Sequence, residues 1–246
     1  MNTQCSATPS SKLPDYYSLA PCASRNSPRT LKQLKDWLAK TVKTSAWDGK
    51  VYVASSIEWH SSAGEFRQSG CSPNYIGGLW SLACCKHDMR SGGPFRSEVK
   101  DYGAPTYVFT LAHKGRDSEM QALVSVAEVS RDFQTMDEYA RFLVQTRNRK
   151  LMRSRLTRLK RRSGIGWRFG DCHADEHRRV GRPRHAAHVH AGSQWERDIN
   201  GKHLILVSER FIVWKTPVFM TKRTIKQSRF GHSITEENLE ELLQET

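Results

Sequence analysis

Four short apolar runs constrain this chain more than any other feature: VYVASSI (51–57), TYVFTLAH (106–113), ALVSVAEV (122–129) and HLILVSERFIVW (203–214). Each is rich in β-branched and aromatic residues, the composition that suits a pleated, buried surface, so each predicts a strand. The last has room for two short strands split at Ser208–Arg210. LWSLACC (79–85) predicts a further strand, and a short VFM run follows Pro217. The stretch 60–78 reads as loop because Gly64, Gly70, Pro73, Gly77 and Gly78 interrupt it.

Helical spacing occurs in three places. Leu31, Leu34, Trp37, Leu38 and Val42 form one apolar stripe, with Ser27 and Pro28 as cap and first turn. Residues 135–162 predict one basic helix, opened by a Thr135/Glu138 capping box and carrying Tyr139, Phe142, Leu143, Leu151, Leu156 and Leu159. SITEENLEELLQET predicts a short terminal helix with a Ser233/Glu236 capping box. Strands and helices intermix without regular βαβ alternation, and no repeat period is visible. The expectation is therefore an α+β single domain over 28–246. Its sheet would be twisted and mixed or mainly antiparallel, with flanking helices and the basic helical segment at about 135–162. Residues 1–27, rich in Ser and Pro, are expected to be a mobile leader.

Charge narrows the partners. Lys and Arg number 39 against 25 Asp and Glu, a formal net charge of +14. Such an excess concentrates polyanions, nucleic acid before an anionic membrane. No apolar run reaches the ~20 residues that a bilayer requires. The N-terminus has neither a basic n-region nor an apolar h-region, so no secretory signal is expected. A cytoplasmic, reducing setting follows, in which the six cysteines are thiols rather than bridges.

Between Glu138 and Asp171 no acidic residue occurs, while Arg153, Arg155, Arg158, Arg161 and Arg162 crowd one stretch with other cations. Like charges one turn apart on a helix repel, and phosphate would relieve that repulsion. These arginines are expected to contact a nucleic-acid backbone. The segment GDCHADEHRRVGRPRHAAHVHAG (170–192) holds His173, His177, His185, His188 and His190 beside Cys172. Its spacing matches no zinc ligand set, so no metal site is expected. His188 and His190 are instead candidate pocket residues. Asp171 with His173 could form an acid–base pair, because a carboxylate can orient an imidazole that titrates near neutral pH.

In GGLWSLACCKHDMRSGG (77–93), Lys86, His87 and Arg90 surround Cys85 with positive charge, the setting that lowers a thiol pKa. Cys84 and Cys85 are adjacent, so strand alternation sends them to opposite faces, and packing competes with chemistry at either one. The run SPNYIGGLWSLACCKHDMR resembles the signature of the nucleotide modification associated domain 2 family, with matching positions at Pro73, Asn74, Gly78, Leu82, Ala83, Cys85, Lys86 and Arg90. Gly170–Asp171, HAAHVH (185–190) and LILVSERFIVW (204–214) are similar to later patches of that family, so the likeness spans roughly residues 50 to 220. His87 stands where a proline is usual, and DYGAPTYVFT replaces a second signature strand.

The resemblance implies a role at or near base modification of DNA or nucleotides, as in bacteriophages and bacterial mobile elements. Two readings follow. In one, the chain is a base-modifying enzyme: Cys85 acts as nucleophile or ligand contact, Asp171 and His173 move protons, Lys86 and Arg90 hold phosphate, and Asn74 lines the pocket. In the other, it is a non-catalytic module that binds modified DNA or RNA bases, with Trp80, Trp167 or Trp214 stacking on the base. Nucleic acid, DNA before RNA, or a nucleotide is the expected partner; the residues specify no cofactor.

Overall fold

A computed structural model of the chain describes residues 27–40, 47–60, 65–68, 73–83, 86–91, 95, 105–113, 120–155, 157–161, 164–168 and 203–246. Residues 1–26 of the expected leader, with Cys84, Cys85, Arg162, Asp171, His173, His188 and His190, lie outside the described residues. The fold is α+β.

Its centre is a sheet ordered β10-β5-β4-β1-β12, formed by β1 (Asp48–His60), β4 (Thr106–His113), β5 (Leu123–Glu128), β10 (Arg210–Val213) and β12 (His232–Thr235). The β1–β4 pair is parallel and the other pairs are antiparallel. β2 (Glu65–Gln68) extends the far end of β1, pairing Ile57–His60. The glycine-rich stretch expected to be loop throughout therefore contributes one strand, because the long β1 offers it an edge.

Alternation sends Val51, Val53, Tyr107, Phe109 and Leu111 to one face of this sheet. Leu34 and Leu38 of α1 (Leu31–Ala39) pack there, together with Trp214, Phe219 and Leu239. Thr30 caps α1 by accepting from the Gln33 amide, so the cap lies three residues past the expected Ser27. Arg210 fastens this helix to the sheet: it pairs with Glu128, donates to the Trp37 carbonyl and lies 3.8 Å over the Trp37 ring.

The opposite face carries Tyr52, Ala54, Val108 and Ala112 and meets a second, three-stranded sheet ordered β3-β9-β6. These strands are β3 (Trp80–Leu82), β6 (Arg131–Phe133) and β9 (Ile205–Ser208). Trp80, Leu82 and Leu206 point into this interlayer, whereas Leu79, Ala83, Ile205 and Val207 point outward beneath α3 (Met136–Gln145) and α4 (Arg149–Arg155). The run 203–214 divides as its sequence allows: β9 joins the small sheet, Glu209 is exposed, and β10 joins the large one.

The single basic helix expected over 135–162 is instead two helices and a hairpin. The Thr135/Glu138 capping box forms, but α3 stops at Gln145. Arg147 takes a left-handed φ of 53°, and the Asn148 side chain accepts from the Leu151 amide to start α4. An Asn cap contributes about 1 kcal/mol, enough to restart a helix where periodicity alone would continue it. Beyond α4, β7 (Thr157–Arg161) and β8 (Gly164–Arg168) pair antiparallel as a separate two-stranded ribbon. At the C-terminus, Ser233 lies in β12 opposite Lys50 and so makes no capping box. The last helix, α5, is the short Leu239–Leu242, followed by β13 (Leu243–Glu245) against β11 (Phe219–Thr221). No helix among the described residues is long and apolar enough to cross a membrane.

Candidate functional site

The segment 73–91 is built around two buried arginines. Asn74 and Ser81 exchange backbone hydrogen bonds of 2.9 Å, closing a loop over the 3-10 turn Ile76–Gly78. Gly77 and Gly78 take φ of 77° and 82°, a region that glycine enters without penalty. A Cβ on Gly77 would also meet Leu151 of α4 at 3.0 Å, so the loop and the helix touch backbone to backbone. From α4, Arg155 donates to the carbonyls of Asn74 (3.1 Å) and Leu79 and to the Ser81 hydroxyl (3.2 Å). Arg155 is 1 % exposed. It is thus a framework residue rather than the phosphate contact that its basic surroundings predict, because these inward oxygens need donors and only a long planar guanidinium reaches all three.

Arg90 likewise turns inward. It is 1 % exposed and donates to the Leu204 carbonyl, joining α2 (His87–Arg90) to the edge of β9. The expectation of an anion-facing Arg90 does not hold for this arrangement. Asn74, expected to line a pocket, is fully buried in the closed loop. Lys86 keeps partial exposure and adopts φ 59° before α2. Its ammonium donates to the Ser228 carbonyl at 2.9 Å and lies 5.7 Å from the Tyr52 ring centroid. Of the expected stacking tryptophans, Trp80 and Trp214 are buried, and the Trp214 indole donates to the Pro28 carbonyl. Trp167 and the expected phosphate contacts Arg153, Arg158 and Arg161 have described backbones only.

Below Lys86 lies a feature that motif spacing does not announce. Tyr52, Thr110 and Ser125 are register partners on β1, β4 and β5, forming a row of hydroxyl side chains across the large sheet. Tyr107–Thr110 pairs with Ser125–Glu128 without interruption, which puts Ser125 on the same face as Thr110; the register slips only beyond Thr110, leaving Val124 extra. The row faces the interlayer, where Tyr75 and Trp80 add a phenol and an indole. Thr110 Oγ1 and Trp80 Nε1 are buried and make no hydrogen bond among the described residues. Burial pushes the Tyr75 phenol well above its usual pKa, and the neighbouring Ser125 hydroxyl offsets part of that rise. A buried, unpaired hydroxyl costs about 1–3 kcal/mol, so Thr110 marks a place where folding stability is surrendered. Its trace in the sequence is a single hydroxyl centred in each of two apolar strands, VFTLA and LVSVA.

On the outer side, Arg141, Arg147 and Arg149 are exposed on and between α3 and α4. The adjoining ribbon pairs Arg158 with Trp167 and Lys160 with Ile165 in register. The described residues contain no group of three or more His, Cys, Asp or Glu placed to hold a metal ion. Comparison with protein-family models, with curated proteins and with solved structures finds no match.

Proposed function

We propose that this protein contacts DNA through its basic helix–ribbon surface and acts on or beside a nucleobase, as the resemblance of segment 73–91 to the nucleotide modification associated domain 2 family implies. The observation that carries the reading is the separate ribbon β7–β8, in which Arg158, Lys160, Arg161 and Arg168 lie within ten paired residues and no acid intervenes. A two-stranded antiparallel ribbon is one of the two elements that the major groove of B-DNA admits. Exposed Arg141, Arg147 and Arg149 lie along the chain leading to it and extend the positive surface.

Under this reading Cys85, Asp171 and His173 carry the chemistry, and Lys86, His188 and His190 border the base. One observation favours recognition without catalysis: the Lys86 and Arg90 side chains, the described cations of the signature, both donate to backbone carbonyls of the fold itself. Duplex binding followed by fluorescence anisotropy across a salt series tests the DNA interface. The wild-type affinity should fall steeply with salt, and an Arg158→Ala/Lys160→Ala variant should flatten the slope by roughly 0.9 for each phosphate it no longer neutralises. An affinity indifferent to salt, or a slope unchanged in the variant, contradicts the assignment.

A further inference from the structure

The ribbon does not exhaust the positive surface. Between Glu209 and Glu236 there is again no acidic residue, and Lys222, Arg223, Lys226 and Arg229 fall within one stretch, KRTIKQSRF (222–230). All four cations are exposed, and the stretch has neither helix nor strand beyond Thr221. Such a loop would ordinarily sample many conformations, yet this one is pinned from inside. The buried Gln121 side chain grips Ile225 twice, accepting from its amide at 2.7 Å and donating to its carbonyl at 2.9 Å. Ser228 offers its carbonyl to Lys86, and Arg229 offers its carbonyl to the Met89 amide at 3.1 Å. His232 reaches back to the Lys226 carbonyl at 2.8 Å. Gly231 closes the segment at φ 65°, against Met89.

Fixing a loop costs conformational entropy residue by residue, and a merely solvated basic face gains nothing from that order. What the order presents is four exposed cations along a pinned loop, next to an aromatic ring held out in water. Phe230 is 52 % exposed, and the Arg229 guanidinium lies 4.8 Å from its ring centroid. The Asp88 carboxylate, 3.4 Å from Arg229 Nε, orients that guanidinium without enclosing it, since Arg229 remains 75 % exposed. Cations tracking a backbone beside an exposed aromatic are the elements of single-strand recognition; a duplex hides the faces of its bases from such a ring.

We propose that Lys222–Phe230 is a binding site for single-stranded nucleic acid, with Lys222, Arg223 and Lys226 on successive phosphates and Phe230 stacking on a base beside α2. The site shares a nucleic-acid partner with the proposed function but uses a different surface, and it holds whether or not a base is altered. A displaced strand beside segment 73–91 is the substrate form that it would serve.

The test uses the full chain and a fluorescein-labelled oligonucleotide of about 12 nucleotides, both single-stranded and as a duplex, with anionic phosphatidylserine vesicles in parallel. Phe230→Ala should weaken single-strand binding about 10-fold and duplex binding less than about 2-fold, the range expected when one stacking partner is removed. Arg223→Ala/Lys226→Ala should flatten the single-strand salt slope by roughly 0.7 for each phosphate left unpaired. Phe230→Trp should retain binding, which separates removal of the ring from damage to the fold should Phe230→Ala lower the thermal midpoint. Unchanged single-strand affinity in Phe230→Ala and unchanged slope in the double variant overturn the proposal. So does a chain that binds the vesicles and not the oligonucleotide. Ribbon variants that abolish duplex binding while loop variants stay silent leave the proposed function standing and remove this site alone.

Discussion

Replacing Arg155 by methionine separates a framework arginine from a phosphate contact. Three acceptors are deprived of a donor: the Leu79 carbonyl, the Asn74 carbonyl and the Ser81 hydroxyl. The Asn74 carbonyl keeps the Ser81 amide at 2.9 Å, so it remains partly satisfied. Orphaning a buried acceptor costs about 1–3 kcal/mol, and the two lesser effects add about 1 kcal/mol each. Relief of the buried guanidinium's desolvation returns part of this, leaving a net destabilisation of about 3 kcal/mol. With a urea m-value of about 2–3 kcal/mol/M, the denaturation midpoint should fall by roughly 1–1.5 M. Arg155→Lys should fall nearly as far, because an ammonium keeps the charge but cannot reproduce a three-way fork. A midpoint unchanged in Arg155→Met, coupled with weakened DNA binding, would refute the framework role and restore the reading that charge alone predicts. A fully restored midpoint in Arg155→Lys would show that charge rather than fork geometry matters.

Thr110→Val should stabilise the protein by about 1 kcal/mol, since it removes an unpaired buried hydroxyl at nearly constant shape; lower stability in urea would show that Oγ1 is bonded. Gly231→Ala forces a side chain into φ 65° and against Met89 Sδ at 2.8 Å, so a destabilisation of at least about 1–2 kcal/mol should appear as a lower thermal midpoint. Tyr75 has a folded pKa raised by burial, so its contribution is complete below about pH 10, the unfolded phenol value, and is lost as pH climbs above it. Tyr75→Phe should therefore flatten the alkaline limb of a stability–pH curve, and an identical limb would contradict the assignment.

The strands are legible because burial on both faces leaves an apolar signature: β4 runs from Thr106 to His113, the residues its sequence predicts. Pairing partners are not legible, which is why β2 emerges only from the free edge of β1 and Ser233 enters a strand in place of a cap. Asn148 signals the break after α3, but helical spacing on both sides conceals it. Arg90 and Arg155 resemble anion contacts in the sequence because a sequence counts charges and does not reveal which buried carbonyls need donors. The hydroxyl row depends on the pairing of Thr110 with Tyr52 on one side and Ser125 on the other, and spacing within one strand does not reveal its partners. The second acid-free stretch, 210–235, is visible in the sequence, yet it is sparser in cations than the run at 139–170 and carries no helical period to mark it.

Nucleoside mass spectrometry on DNA from cells expressing the protein tests the central claim most directly, with wild type, Cys85→Ala and an empty vector compared. A base-acting protein predicts a nucleoside gained or depleted with the wild type and restored to the vector profile by Cys85→Ala. Three identical profiles contradict catalysis, and if the purified protein also shows no salt-dependent binding to DNA, they contradict the nucleic-acid reading as a whole.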